Sequence, residues 1–159
     1  EKLTIPVIAA GGIASGRGML AAMVLGADGV QIGSRFVASE ESSAHINFKN
    51  EVVKSQDGDT HLTLKELAPV RLIKNKFYNE LQELYKQNPS IDQLKEKLGR
   101  ARAKKGMFEG DLEDGELEIG QITGLIHEIK PAAEILHEMW KDFNAGVEHI
   151  KALSFNRTF

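Results

Sequence analysis

Ile5-Pro6-Val7-Ile8-Ala9-Ala10-Gly11-Gly12 is the stretch on which the fold turns. Its apolar run has no polar alternation, the pattern of a strand covered on both faces in a parallel sheet. Pro6 suits the start of such a strand, where no ladder donor is needed. The glycine pair ends it. Ser15 then offers a hydroxyl to cap a helix, Met19, Leu20, Met23 and Val24 repeat at helical spacing, and Gly26 falls where a glycine cap would close it. A helix of that length spans about 16 Å at about 1.5 Å per residue, which matches a strand of about five residues. The chain is thus returned in time for Gly29-Val30-Gln31-Ile32, a second short strand that ends at Gly33-Ser34. Residues 5–32 read as a βαβ unit.

Past Phe36 no further Val/Ile-rich run bounded by glycines occurs, and the chain reads mainly as helices. Helical spacing links Ile46, Val52 and Val53, then Phe77, Leu81, Leu84 and Tyr85, then Ile91, Leu94 and Leu98. A short extended piece is expected near Thr60–Leu64. Residues 109–118, EGDLEDGELE, are acidic and broken by glycine, hence a loop. Ile122, Leu125, Ile126 and Ile129 then repeat at helical spacing, and Pro131 opens a further apolar face through Ala132, Ile135, Leu136, Met139, Trp140 and Phe143. The expected division is last βα units of a barrel over 1–41, a helical insertion with the acidic loop over 42–118, closing helices over 119–143 and a tail over 144–159.

Composition narrows the function. The chain has 159 residues, 42% hydrophobic and 27% charged, enough to bury a sizeable core. A formal charge of −3 gives no general attraction for nucleic acid or an anionic membrane surface, so neither is an expected partner. The absence of cysteine excludes disulfides and thiolate chemistry, and a cytoplasmic location is the simplest expectation. No apolar run approaches the roughly 18 residues of a membrane span. Glu1-Lys2-Leu3-Thr4 resembles neither an initiator methionine nor a signal segment, so the chain is expected to begin in mid-protein, with an amino-terminal part of the same protein as its partner.

The candidate chemistry lies at Gly11-Gly12 and Gly33-Ser34, two turns at the carboxyl ends of consecutive parallel strands. A phosphate monoester needs several converging backbone N–H donors with no Cβ in the way, and paired glycine turns supply them. In (β/α)8 barrels the recurrent phosphate site is built after strands 7 and 8. The fold expected is therefore α/β, the carboxy-terminal part of a (β/α)8 TIM barrel, its last two strands followed by a mostly helical extension. Either pair alone would read as a plain βα turn; together they point to phosphate.

Ile5-Pro-Val-Ile-Ala-Ala-Gly-Gly-Ile13 and Gly26-Ala-Asp-Gly-Val-Gln-Ile-Gly-Ser-Arg-Phe36 resemble the end of the FMN-binding barrel of the nitronate monooxygenase (2-nitropropane dioxygenase) family, and are similar to the related flavin-dependent enoyl-ACP reductases. Gly120-Gln121-Ile122-Thr123-Gly124-Leu125 resembles the Gly-Gln-x-x-Gly-Leu segment of that group. The resemblance implies an FMN cofactor whose phosphate takes backbone amides from Gly11, Gly12, Gly33 and Ser34. Arg35 would pair with that phosphate if turned inward, or form a barrel-rim salt bridge if not. Gln121 would open a helix beside the flavin ring, bonded to it or to substrate, or act as a plain cap.

The resemblance also implies a catalytic histidine from an earlier barrel strand. His45, His61, His127, His137 and His149 match no such motif, so no catalytic residue is assigned in this chain. No metal site is expected: the carboxylates of 109–118 lack calcium-loop spacing, and His127 and His137 lack zinc-ligand spacing. Asn156-Arg157-Thr158 fits a glycosylation sequon by chance. The basic run Arg100–Lys105 reads as the polar end of a helix. The activity expected of the whole protein is FMN-dependent oxidation of nitronates, with NAD(P)H-dependent reduction of an enoyl thioester as the alternative. A non-catalytic, phosphate-ligand-binding fragment is the reading of another class, and a homodimer is a further possibility.

Overall fold

The computed structural model describes residues 3–155. Strand β1 (Ile8–Ala10) lies parallel to β2 (Gly29–Gln31), with Ala9 opposite Val30. Helix α1 (Gly16–Val24) joins them, giving the βαβ unit expected from residues 5–32. The Ser15 hydroxyl caps α1 by accepting from the Gly18 N–H at 3.2 Å. At its far end Gly26 turns the chain with φ +102°, a conformation that favours glycine. Asp28 and Val7 exchange hydrogen bonds of 2.8 and 2.7 Å, fixing the start of β1 beside β2.

The segment after β2 opens with α2 (Ser34–Val37) and α3 (Ile46–Lys54). A hairpin follows, β3 (Thr60–Thr63) antiparallel to β4 (Val70–Ile73), then α4 (Lys76–Tyr85), α5 (Ile91–Leu98) and a π-helical turn at Lys104–Phe108. Two cores hold this region. Phe48, Val52, Ile73, Leu117, Ile119 and Ile126 form one, and Leu64, Leu72, Phe77, Leu81 and Leu94 the other. Arg102 braces the second: its guanidinium stacks 4.4 Å over the Phe77 ring and donates to the Leu98 and Asp114 carbonyls, each at 2.7 Å. In the acidic loop, the Asp111 carboxylate accepts from the Glu113 and Asp114 N–H groups and pairs with Lys105 at 2.9 Å.

Helix α6 (Ala132–Phe155) begins directly after Pro131 and returns across α1. The crossing is close enough that a Cβ on Gly16 would lie 2.0 Å from the Met139 carbonyl oxygen. Ile13, Ile135 and Met139 are buried there, packed by Ala9, Met19, Val30, Ile32 and Phe36. The chain is thus α/β, with a parallel pair, an antiparallel pair and a helical extension.

The extended piece expected near Thr60–Leu64 is β3, and its partner β4 was not expected. Three local readings are corrected. The helix expected from Ile122 to Ile129 is only a 3-10 turn, Gln121–Leu125. Beyond it Ile126 is extended at φ −107°, ψ 105°, and Lys130 bridges to Ser39. Gly124 within the run and Pro131 after it both oppose an α-helix. The basic run lies past α5, which ends at Leu98, and leads into the π-helical turn. Helix α6 does not stop near Phe143 but continues through to Phe155. The Asn156–Thr158 sequon lies outside the described residues. No helix among the described residues is long and apolar enough to cross a membrane.

Candidate functional site

Where β1 ends, Gly11 and Gly12 take φ +88° and +71°. A side chain in that left-handed region costs roughly 1–2 kcal/mol, so the backbone path itself calls for glycine. A Cβ built on either meets nothing within 4 Å, and the same holds for Gly33 at the end of β2. Both turns therefore leave open space beside bare backbone. The Gly33 carbonyl accepts from the Phe36 and Val37 N–H groups at 2.9 and 3.1 Å, which starts α2.

Ser34 ties the second turn to a distant part of the chain. Its Oγ accepts a hydrogen bond from the Gly120 N–H at 3.0 Å. Gly120 is held so closely that a Cβ there would fall 2.6 Å from that oxygen. The next residue, Gln121, lines a cavity of about 520 Å³ together with Gly12, Asp57, Ile122, Gly124 and Leu125. That volume is within the range of small-molecule sites. Behind the cavity wall, buried Thr123 donates to the Val52 carbonyl at 3.2 Å and fixes the 3-10 turn to α3.

Arg35 turns toward the segment that precedes α6, and its contact there is with backbone. Its buried guanidinium donates to the Glu128 carbonyl at 3.2 Å. Burial lowers its pKa while Glu128 and Glu138 raise it, and an arginine so placed stays a cation. The structure therefore brings Gly12 and Gln121 to one cavity and joins Ser34 to the segment bearing Gln121. Asp57 was not expected there: Asp57-Gly58 signals a turn in the sequence, but nothing local says which cavity that turn reaches.

The histidines with resolved contacts have structural ones. His45 Nδ1 accepts from the Asn47 N–H at 3.1 Å, capping α3, and His61 Nδ1 lies 2.9 Å from the Tyr78 hydroxyl. Among the described residues no group of three or more His, Asp or Glu side chains is placed to hold a metal ion.

Residues 1–142 match the family described as nitronate monooxygenase. The chain belongs to that family. A probable nitronate monooxygenase of Staphylococcus saprophyticus is 35% identical over 136 residues, covering 85% of this chain and 38% of that protein. One from Staphylococcus aureus is 42% identical over 84 residues, 52% of this chain and 24% of the relative. The chain thus spans well under half the length of these nitronate monooxygenase relatives. Among solved structures, FabK from Thermotoga maritima superposes with a TM-score of 0.86 at 42% identity, over 95% of this chain and 48% of that one. A nitroalkane oxidase from Streptomyces ansochromogenes gives 0.74 at 26% identity, over 93% and 42%.

Proposed function

We propose that the chain supplies strands 7 and 8 of a (β/α)8 barrel and there holds the phosphate of FMN, in a protein that oxidises nitronates. The observation that carries this reading is the pair of open glycine turns at the ends of β1 and β2, the second of them hydrogen-bonded to the segment bearing Gln121. The residues fit the group: with no Cβ at 11, 12 or 33, backbone amides are free to approach a phosphate, as an oxyanion requires. The adjoining cavity of about 520 Å³ takes an aromatic ring system.

In this reading Gly11, Gly12, Gly33 and Ser34 bind the phosphate through their backbone, and Gln121 orients the ring or the substrate from the cavity wall. Arg35 is left out, since its hydrogen bond goes to Glu128. FMN when bound supplies the redox chemistry, while the protein sets its orientation and surroundings. No histidine of this chain is assigned as the base that presents the nitronate. Family membership supports the reading, and the lack of cysteine agrees with a cytoplasmic setting.

The test is to purify the protein that carries this chain, desalt it and titrate FMN while following flavin fluorescence and visible absorption. Retained or saturable flavin is expected; none, even with excess FMN, overturns the proposal. A second reading, NAD(P)H-dependent reduction of enoyl thioesters, is favoured by the greater likeness to the FabK structure than to the nitroalkane oxidase. Oxygen uptake with a nitronate against NAD(P)H consumption with a crotonyl thioester separates them.

A further inference from the structure

The phosphate reading uses the backbone of Ser34 and leaves its side chain unexplained. That side chain accepts from the Gly120 N–H at 3.0 Å, and a Cβ on residue 120 would lie 2.6 Å from the same oxygen, so the hydroxyl would have to turn away. One residue along, the Arg35 guanidinium donates to the Glu128 carbonyl at 3.2 Å. Two consecutive residues of the turn after β2 therefore fasten the segment 120–128 near both of its ends. Between the fastenings lies the 3-10 turn Gln121–Leu125, and Gln121, Ile122, Gly124 and Leu125 form most of the cavity wall facing Gly12. Thr123 pins the middle of that wall to the Val52 carbonyl, so a displacement of the Gly33-Ser34 turn would bear on its Gln121 end.

We infer that Ser34 is a positioning residue whose hydroxyl sets where Gln121 stands relative to the two glycine turns, so that filling the turns with phosphate and shaping the cavity are one event. A hydroxyl has one hydrogen to give beyond the bond it accepts. Donated to an anion in the turn, it makes the oxygen a better acceptor and tightens the bond from Gly120. The coupling to phosphate rests on the FMN reading, whereas the fastening stands without any ligand. Arg35 holds the far end.

The experiment is amide hydrogen exchange over residues 120–125 in the protein that carries this chain, as wild type, Ser34→Ala, Ser34→Thr, Gly120→Ala and the Ser34→Ala/Gly120→Ala double variant. Without FMN, each alanine variant is expected to exchange about fivefold to tenfold faster, the worth of one such bond. The double variant should be no faster than either single one, since both break the same contact, and Ser34→Thr should restore protection. With FMN, wild type gains further protection over 120–125, while Ser34→Ala binds the flavin more weakly and, brought to saturation with excess FMN, gains none and shows a shifted visible band. Equal exchange in wild type and Ser34→Ala without FMN overturns the inference. So does full FMN-induced protection in Ser34→Ala. Wild type that takes up no FMN overturns the cofactor reading instead, and the ligand-free comparison still decides the fastening.

Discussion

Gly11 and Gly12 separate conformational need from crowding, because their φ values are left-handed yet nothing stands within 4 Å of a Cβ. Gly12→Ala is expected to cost about 1–2 kcal/mol of stability through strain alone, and to weaken FMN binding at least tenfold by filling the approach to the phosphate. Urea unfolding and FMN titration on the same preparation check both; unchanged affinity would remove Gly12 from the site. Glu116 sets a pH dependence elsewhere. It is 5% exposed, and burial, with Glu118 adding to it and Arg102 opposing, raises its carboxyl from 4.5 to about 7. A carboxyl with a raised folded pKa binds its proton more tightly in the fold, so that stabilisation is full below about pH 4.5 and is lost as pH rises through about 7. Wild type should lose about 2–3 kcal/mol between those limits, and Glu116→Gln should flatten the fall. Asp111, held at about 2 chiefly by Lys105, acts only at lower pH and with opposite sign. The positions of these glycines were legible because a turn after an apolar strand is a local signal. The Ser34–Gly120 bond spans 86 residues, and no local pattern encodes it.

Elements were legible where caps and period agreed. Ser15 capping α1 is a sequence-local feature that the structure repeats. Strand β4 was not, because Val70-Arg71-Leu72-Ile73 is short, follows Pro69 and forms only through pairing with β3, with Leu72 also bridging to Glu118. The run 122–129 misled for a related reason. Ile126 reaches the core from an extended backbone, so helical spacing there reflects burial without a helix. The α1–α6 crossing gives a prediction at this scale. A Cβ on Gly16 would strike backbone, 2.0 Å from the Met139 carbonyl oxygen and 2.3 Å from the Phe143 nitrogen, whereas one on Gly146 would meet only the Leu20 side-chain end at 2.7 Å. Gly16→Ala should therefore destabilise by about 3 kcal/mol or more, and Gly146→Ala by about 1 kcal/mol or less, since a side chain yields where backbone cannot. Thermal unfolding of the two variants decides it, and equal losses would mean that the helices slide apart freely.

At the scale of the molecule, a two-stranded parallel sheet is the open feature, because parallel sheets are ordinarily covered on both faces. One face of β1 is covered: Ala9 packs into the core under α1 and α6. Ile8, on the opposite face by strand alternation, is 53% exposed. At the foot of the sheet Leu3, Ile5, Val7 and Leu25 line a cavity of about 880 Å³, Ile5 being 68% and Leu25 90% exposed. Contiguous apolar surface beside an unpaired strand edge promotes association. Expressed alone, the 159-residue chain should self-associate at micromolar concentration and bind the dye ANS, both measurable by light scattering and fluorescence. Ile8→Lys should weaken that association, since a charge at an open strand edge opposes pairing. In a protein with the length of the matched relatives, the proposed barrel puts Ile8 inside a closed ring of strands, and the same substitution should cost about 3–5 kcal/mol by burying an unpaired charge. The opposite signs separate the two environments. If Ile8→Lys is harmless in the longer protein, β1 has no neighbours covering that face, and the assignment of β1 and β2 to strands 7 and 8 falls with it.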